Sequence, residues 1–363
     1  MAEPSRLAIV HEWVDDRAGS VKVFKELAET FPSADLYALS RDPQTTVSFG
    51  KRELHTSPLD RPLLRELRGP TLPLMPLAWR ALGRGTHDSV ITSHHAFAHT
   101  NRLARRAHLV YVHAPARYLW TPEIDGRGAN PALAPVRDAL KRIDRRAAKR
   151  VTSYAANSSE VASRIERFWG REARVIHPPV QVEFFAEPAA TQPTRDYLLG
   201  VGRWVPYKNL PLVIETADRA RLPVKIAGDG PDRERIVAAA QRASVPVELV
   251  DAPSDEALRE LYRNAAALVF PTIEDFGIVP VEAQAAGTPV VTIGTAGVLD
   301  TVVAGRTGVF ADSLAPGALA EAVAAAARLS PSDCRANAER FSASSFRAQI
   351  RAWAAEFGIG EAS

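Results

Sequence analysis

Glu274 and Glu282 stand eight positions apart in a stretch, 274–287, that reads Glu-Asp-Phe-Gly-Ile-Val-Pro-Val-Glu-Ala-Gln-Ala-Ala-Gly. The first follows an apolar run, Ala266–Pro271, of the kind that forms a buried strand. The second falls where a helical pattern begins. The amides of Phe276, Gly277, Ile278 and Val279 are thereby expected at a helix N-terminus, where unpaired N–H groups and the positive end of the helix dipole attract an anion. Carboxylates beside such a turn accept hydrogen bonds from sugar hydroxyls. Phosphate and hydroxyl recognition side by side suits a nucleotide-sugar. Two solvated glutamates are the plainer alternative, but an apolar filling with Gly and Pro is not what a solvated face needs.

Two other segments carry residues of the same kind. Gly200-Val-Gly202-Arg203 follows an apolar strand and leads to Lys208. The third glycine of a dinucleotide fingerprint is absent and Pro206 falls where its helix should start, which argues against a nicotinamide site. Arg203 and Lys208 read either as solvated loop cations or as paired cations for a diphosphate, one a planar fork and the other a mobile point charge. His113 ends the strand-like Leu109–His113 and opens a Pro-containing loop, His113-Ala-Pro-Ala-Arg117-Tyr118-Leu-Trp120. A histidine at the carboxyl end of a strand in an open α/β sheet is placed to face a ligand.

Residues 274–290 resemble the Glu-x7-Glu motif of retaining glycosyltransferases of family 4, and the His113–Trp120 segment resembles a mannosyltransferase-like branch of that family. The opening His11-Glu12-Trp13, with Gly19-Ser20 and Lys22, is similar to the same branch, although the family usually has Gly-Gly followed by an acidic residue. The resemblance implies the α/β GT-B fold: two Rossmann-like domains facing each other across a cleft. It implies transfer of a hexosyl group, mannosyl favoured, from a nucleoside-diphosphate sugar such as GDP-mannose to an acceptor hydroxyl, with retained anomeric configuration. By resemblance Arg203 and Lys208 hold the donor diphosphate, Glu282 the ribose, and Glu274 the transferred sugar. Gly19, Ser20 and the amides of 276–279 contribute to the donor site. His113 stabilises charge near the reacting carbon, and Glu12, Arg117 and Tyr118 lie on the acceptor side.

Short apolar runs alternating with helical patterns along the whole chain call for parallel sheets covered on both faces. The expected strands are 7–13, 35–39, 89–93, 109–113 and 151–156, then 197–202, 224–228, 247–251, 267–271 and 290–294. With 363 residues, two domains are expected. The Pro-rich stretch Glu187–Arg195 is the expected junction, giving domains of 1–187 and 188–344. The terminal segment 345–363, with Phe346, Ile350, Trp353 and Phe357 at helical spacing, is expected to pack back on the first.

Residues 1–185 hold 28 Lys+Arg against 20 Asp+Glu, and residues 186–363 hold 17 against 22. The basic half suggests an anionic acceptor, glycan or lipid-linked, or peripheral contact with an acidic membrane. Arg61, Arg65, Arg68, Arg102, Arg105 and Arg106 motivate that expectation. No aromatic interleaving points to nucleic acid. The single cysteine, Cys334, excludes an intramolecular disulfide, and together with an N-terminus lacking a signal-like apolar stretch it fits a cytoplasmic enzyme. No ligand spacing for a metal is visible, so neither metal nor other cofactor is expected. Two other classes remain consistent with the motifs: a sugar-nucleotide epimerase of related fold, and a non-catalytic nucleotide-sugar binding protein.

Overall fold

The computed structural model describes residues 6–16, 19–121, 133–188 and 191–360, without the side chains of Glu66, Arg68 and Gly69. Leu7–Val14 (β1) is buried on both sides, and the alternation of its side chains separates two cores. Ala8 and Val10 enter one, with Trp79, Val110 and Tyr154. Ile9 enters the other, with Phe24, Leu27 and Tyr111. A strand that must bury both faces is the signature of a parallel sheet sandwiched by helices.

That sheet has seven strands, all pairs parallel, in the order β3-β2-β1-β4-β5-β6-β7. Here β2 is Asp35–Arg41, β3 Leu54–Thr56, β4 Arg84–His94, β5 Arg102–Val112, β6 Ser153–Ala156 and β7 Arg174–Val175. The second sheet has six parallel strands in the order β10-β9-β8-β11-β12-β13. They are Tyr197–Val201 (β8), Val224–Gly228 (β9), Val247–Asp251 (β10), Ala265–Phe270 (β11), Val290–Thr292 (β12) and Gly308–Phe310 (β13). In each sheet the order reverses at one place, between β1 and β4 and between β8 and β11. Ligands of open α/β sheets bind outside the carboxyl ends of the strands at that point.

The three strands not anticipated from the sequence, β3, β7 and β13, are two or three residues long and pair on one side only. The strands β4 and β5 also begin well before their apolar runs, at Arg84 and Arg102.

The chain forms two compact units, Met1–Pro179 with Phe346–Ser363, and Val180–Ser345. The division falls eight residues before the Pro-rich stretch, because Val182 and Phe185 of the helix Val182–Ala186 are buried in the core of the second unit with Tyr262 and Phe341. The terminal helix Ala343–Ala355 buries Phe346, Ile350 and Trp353 against Phe24 and Leu27. Trp353 Nε1 donates to Ser153 Oγ at 3.0 Å, and Arg347 pairs with Glu26 at 2.7 Å. Among the described residues no helix is long and apolar enough to cross a membrane.

Candidate functional site

At the switch point of the second unit, two loops are stapled together. After β8 the chain makes a turn, Pro206–Lys208, ended by Asn209 in the left-handed region at φ 51°. Asn209 Nδ2 donates to Pro271 O at 2.9 Å, and Thr272 Oγ1 donates to Tyr207 O at 2.9 Å. These two bonds fix the loop after β8 against the loop after β11. They bring Lys208 Nζ onto Glu274 Oε1, 66 residues away in sequence. The Lys208 side chain is 8% exposed and that of Glu274 20%. A pair so withdrawn from water is held only where geometry and further contacts compensate for lost hydration. Arg203, by contrast, is exposed, and among the described residues its side chain makes one hydrogen bond, a long one to Tyr207 Oη at 3.4 Å. The two expected diphosphate cations thus stand in different environments.

Glu274 leads directly into the helix Ile278–Ala285, whose N-cap is Gly277 at φ 94°. A residue with a Cβ is strained at that φ, so the turn that aims the amides requires glycine. A second glycine braces the loop from behind. Gly297 N donates to Glu274 O at 2.9 Å, and a Cβ on Gly297 would lie 2.4 Å from the carbonyl carbon of Asp275. The sequence reading missed Gly297, which only close approach of two backbones identifies. Phe276 buries its ring against Phe341 and so offers this site its backbone alone. Glu282, 8% exposed, accepts from Tyr262 Oη at 3.0 Å. Burial, with the Glu282 charge adding to it, holds the Tyr262 phenol well above its ordinary pKa. Glu274 and Glu282 are therefore distinct groups: one faces a cation, the other a neutral phenol.

At the switch point of the first unit the site is built from imidazoles. His113 follows β5, and its backbone N donates to His94 O at 2.8 Å. Asn157 Nδ2 donates to His113 O at 3.0 Å, and Ser158 caps the following helix by accepting from Val161 N. Ser93 Oγ lies 2.8 Å from His113 Nε2 and 3.0 Å from His11 Nδ1. One hydroxyl proton cannot serve both rings, so one ring accepts it and the other donates to Ser93. The tautomers of His11 and His113 are coupled. Burial pushes His11 down to about 3 and His113 well below the usual imidazole range, with nearby imidazoles adding to both shifts. Both rings are neutral near pH 7.

Glu12, expected on the acceptor side, is fully buried. Its carboxylate accepts from the amides of His95, Ala96 and Ala98 at 3.0, 2.9 and 2.7 Å. It anchors the loop after β4 rather than facing a substrate. Arg117 and Tyr118 are half-buried on the short helix Arg117–Trp120. Gly19 and Ser20 open the helix Gly19–Thr30 as exposed and half-buried residues, while Arg17 and Ala18 lie outside the described residues. Lys22 is exposed on the same helix.

One grouping escaped the sequence reading because its members are 83 positions apart. His11, Glu12 and His95 bring three ligand atoms within 4.8 Å of one another, and His11 Nε2 is buried without a hydrogen-bond partner. These residues are able to hold a divalent cation, although three amides already engage the carboxylate.

Residues 182–341 match the family described as Glycosyl transferases group 1. The match falls within the second unit. A D-inositol 3-phosphate glycosyltransferase from Catenulispora acidiphila is 30% identical over 198 residues, covering 47% of this chain and 46% of that protein. An uncharacterized glycosyltransferase from Methanocaldococcus jannaschii is 30% identical over 125 residues, 32% of each chain. The matched stretches thus span about half or less of these relatives' length. Among solved structures, the Anabaena protein HepE in complex with UDP aligns with TM-score 0.72 and 16% identity, over 96% of this chain and all of that one. Sucrose-phosphate synthase from Thermosynechococcus elongatus aligns with TM-score 0.73 and 19% identity, over 97% and 99%. At such identities the likeness concerns the fold, which is that of GT-B proteins.

Proposed function

We propose that the chain is a retaining glycosyltransferase that moves a hexosyl group from a nucleoside-diphosphate sugar to an acceptor hydroxyl. The observation that carries this reading is the Lys208–Glu274 pair beside the Gly277-capped helix, at the switch point of the unit that matches the group 1 glycosyltransferase family. In the proposed reaction the bond from the anomeric carbon to the leaving diphosphate breaks. The acceptor oxygen bonds to that carbon on the same face, and its proton passes to the departing phosphate oxygen. Lys208, Arg203 and the amides of 277–279 stabilise charge building on the diphosphate, the kind of preorganised electrostatic term that dominates such catalysis. Glu282 binds ribose hydroxyls, with Tyr262 orienting its carboxylate. Glu274 binds the transferred hexose, and neutral His113, held by Ser93, acts on the same sugar as positive charge develops. Gly19 and Ser20 are further residues proposed to contact the donor. No metal is assigned a role.

The His113–Trp120 resemblance favours mannosyl transfer from GDP-mannose, whereas the solved relative that carries UDP makes a uridine donor the rival. The proposed acceptor is a glycan or lipid-linked glycan, the setting polysaccharide or glycolipid synthesis, and the proposed location the cytoplasm or the inner face of the membrane. Thermal shift with GDP-mannose and with UDP-hexoses decides the donor, because a ligand that binds the native state raises its apparent stability. A shift with GDP-mannose alone supports the mannosyl reading, and a shift with UDP-sugars alone replaces it. No shift with any sugar nucleotide overturns the proposal.

A further inference from the structure

The sheet of the first unit has a second charged region, at the edge opposite His113. β4 begins at Arg84, β5 begins at Arg102, and Arg150 closes the turn before β6. These amino ends surround a cavity of about 500 Å³ whose lining includes Arg84, Arg102, Arg105, Arg106, Arg150 and His108. The lining runs along β5 from Arg102 to His108, so at a rise of roughly 3.3 Å per residue its near end lies about 17 Å from His113 and its far end more than about 30 Å away. The arginines that motivated an anionic acceptor therefore do not share a site with the catalytic-side imidazoles. Arg68, named with them, has no described side chain, and Arg65 is engaged by Asp60 at 2.6 Å.

No carboxylate lines this cavity, and none of its five arginines has an ion-pair partner among the described residues. Arg105 Nε donates to Gly85 O and Arg150 Nη1 to Arg146 O at 3.0 Å, which uses one N–H of each and leaves the rest of each fork available. Arg102 Nε is buried with no partner. Burial first, then the charges of Arg102 and Arg80, hold the Arg150 guanidinium below its ordinary pKa, so the cations here oppose one another. His108 adds no charge: burial lowers it to about 3, and its ring is engaged by Thr92 Oγ1 at 2.9 Å.

Five planar cations converging on one cavity, without a single acid, form a receptor for an oxyanion of high charge. Guanidinium forks match phosphate oxygens in pairs. The cavity falls in the size range of small-molecule sites and exceeds what one phosphate fills. We propose that this cavity binds a group carrying two or more phosphates, at a site separate from the donor site and independent of the transferase reading. The group comes either from a soluble polyphosphorylated metabolite or from a phospholipid headgroup. The second source finds a neighbouring feature in Leu77 and Leu74, 59% and 47% exposed on the segment that carries Arg80.

The test is calorimetric titration of the full chain with inorganic pyrophosphate, in wild type, Lys208→Ala, and Arg102→Gln/Arg105→Gln. Pyrophosphate binding should survive Lys208→Ala, which weakens the proposed donor site and leaves this cavity intact, and weaken about tenfold or more in the double variant, the loss of charged hydrogen bonds. The double variant should also melt higher than wild type without ligand, since removing like charges relieves repulsion. Arg84→Gln, at an exposed position, provides the same readout should the double variant not fold. Sedimentation with phosphatidylcholine vesicles, with and without phosphatidic acid, distinguishes the sources. Binding that needs phosphatidic acid and is lost in the double variant supports a headgroup. Pyrophosphate binding without vesicle binding supports a soluble ligand. Pyrophosphate affinity unchanged by the arginine substitutions, or absent from Lys208→Ala, overturns the proposal.

Discussion

The two units solve the problem of holding polar groups at a sheet edge in opposite ways. All nine histidines of the chain lie between His11 and His177, in the first unit, and the second has none. The first unit places neutral, buried imidazoles at its switch point and tunes them through a shared hydroxyl and a carboxylate locked by three amides. The second places a cation directly on a carboxylate, beside a helix N-terminus. One edge is therefore sensitive to protons, the other to charge removal and to anions.

The strongest way to break the first unit is through its buried anion. Asp144 is fully buried and accepts from Trp120 Nε1 at 2.8 Å and Trp169 Nε1 at 2.7 Å, with His99 Nε2 at 2.7 Å on its other oxygen. Asp144→Ala strands three polar groups and should cost about 3–5 kcal/mol in urea unfolding. The effect should appear in hydrogen exchange of the first unit and spare the strands β8–β13.

Acid sharpens the same contrast. His11 and His108 are held at about 3 in the folded state, against about 6.5 unfolded. Between those values the unfolded chain binds protons that the folded chain does not, so stability falls as pH falls from 6.5 toward 3. Each group contributes up to about 1.4 kcal/mol per pH unit across that window. The first unit should lose protection from just below pH 6.5. The histidine-free second unit should hold until its carboxylates begin to titrate. Equal loss in both units at pH 5.5 would contradict the histidine account.

How far this was visible in the sequence depended on distance along the chain. The Glu274–Glu282 stretch is contiguous, and strand, turn and helix N-terminus follow from its own residue order. The alternation of apolar runs likewise revealed the central strands, whose burial on both faces leaves a strong pattern. Short edge strands such as Arg174–Val175 leave none, because one partner and two residues impose little patterning. Pairings across long separations were invisible: Lys208 with Glu274, Glu12 with the amides after β4, Ser93 between His11 and His113. Glu12 was expected on the acceptor side because nothing in its neighbours announces three amides 83 to 86 positions away. That Arg102, Arg105 and Arg106 stand at the amino end of a sheet strand was hidden, because a polar run masks the start of β5.

In the second unit, Lys208→Ala and Arg203→Ala should differ. Removing Lys208 leaves Glu274 without its cation in a partly dry loop, so it should lower stability by about 1–3 kcal/mol as well as weaken nucleotide binding. Arg203 is exposed and nearly free of side-chain contacts, so Arg203→Ala should weaken binding with a change in stability of about 0.5 kcal/mol or less. Paired thermal melts and nucleotide titrations separate the two, and an equal stability loss in both variants would remove the distinction between a structural and a solvent-facing cation.

The central claim is that the second unit is the donor site and that its two glutamates do different work. Calorimetric titration of the matching nucleoside diphosphate into Glu282→Gln and Glu274→Gln, with transfer measured in parallel, tests it most directly. The account predicts that Glu282→Gln weakens nucleotide affinity about tenfold, the loss of charged hydrogen bonds to the ribose. Glu274→Gln should keep that affinity while transfer collapses. Nucleotide affinity unchanged in both variants, or transfer undiminished by Glu274→Gln, would contradict it.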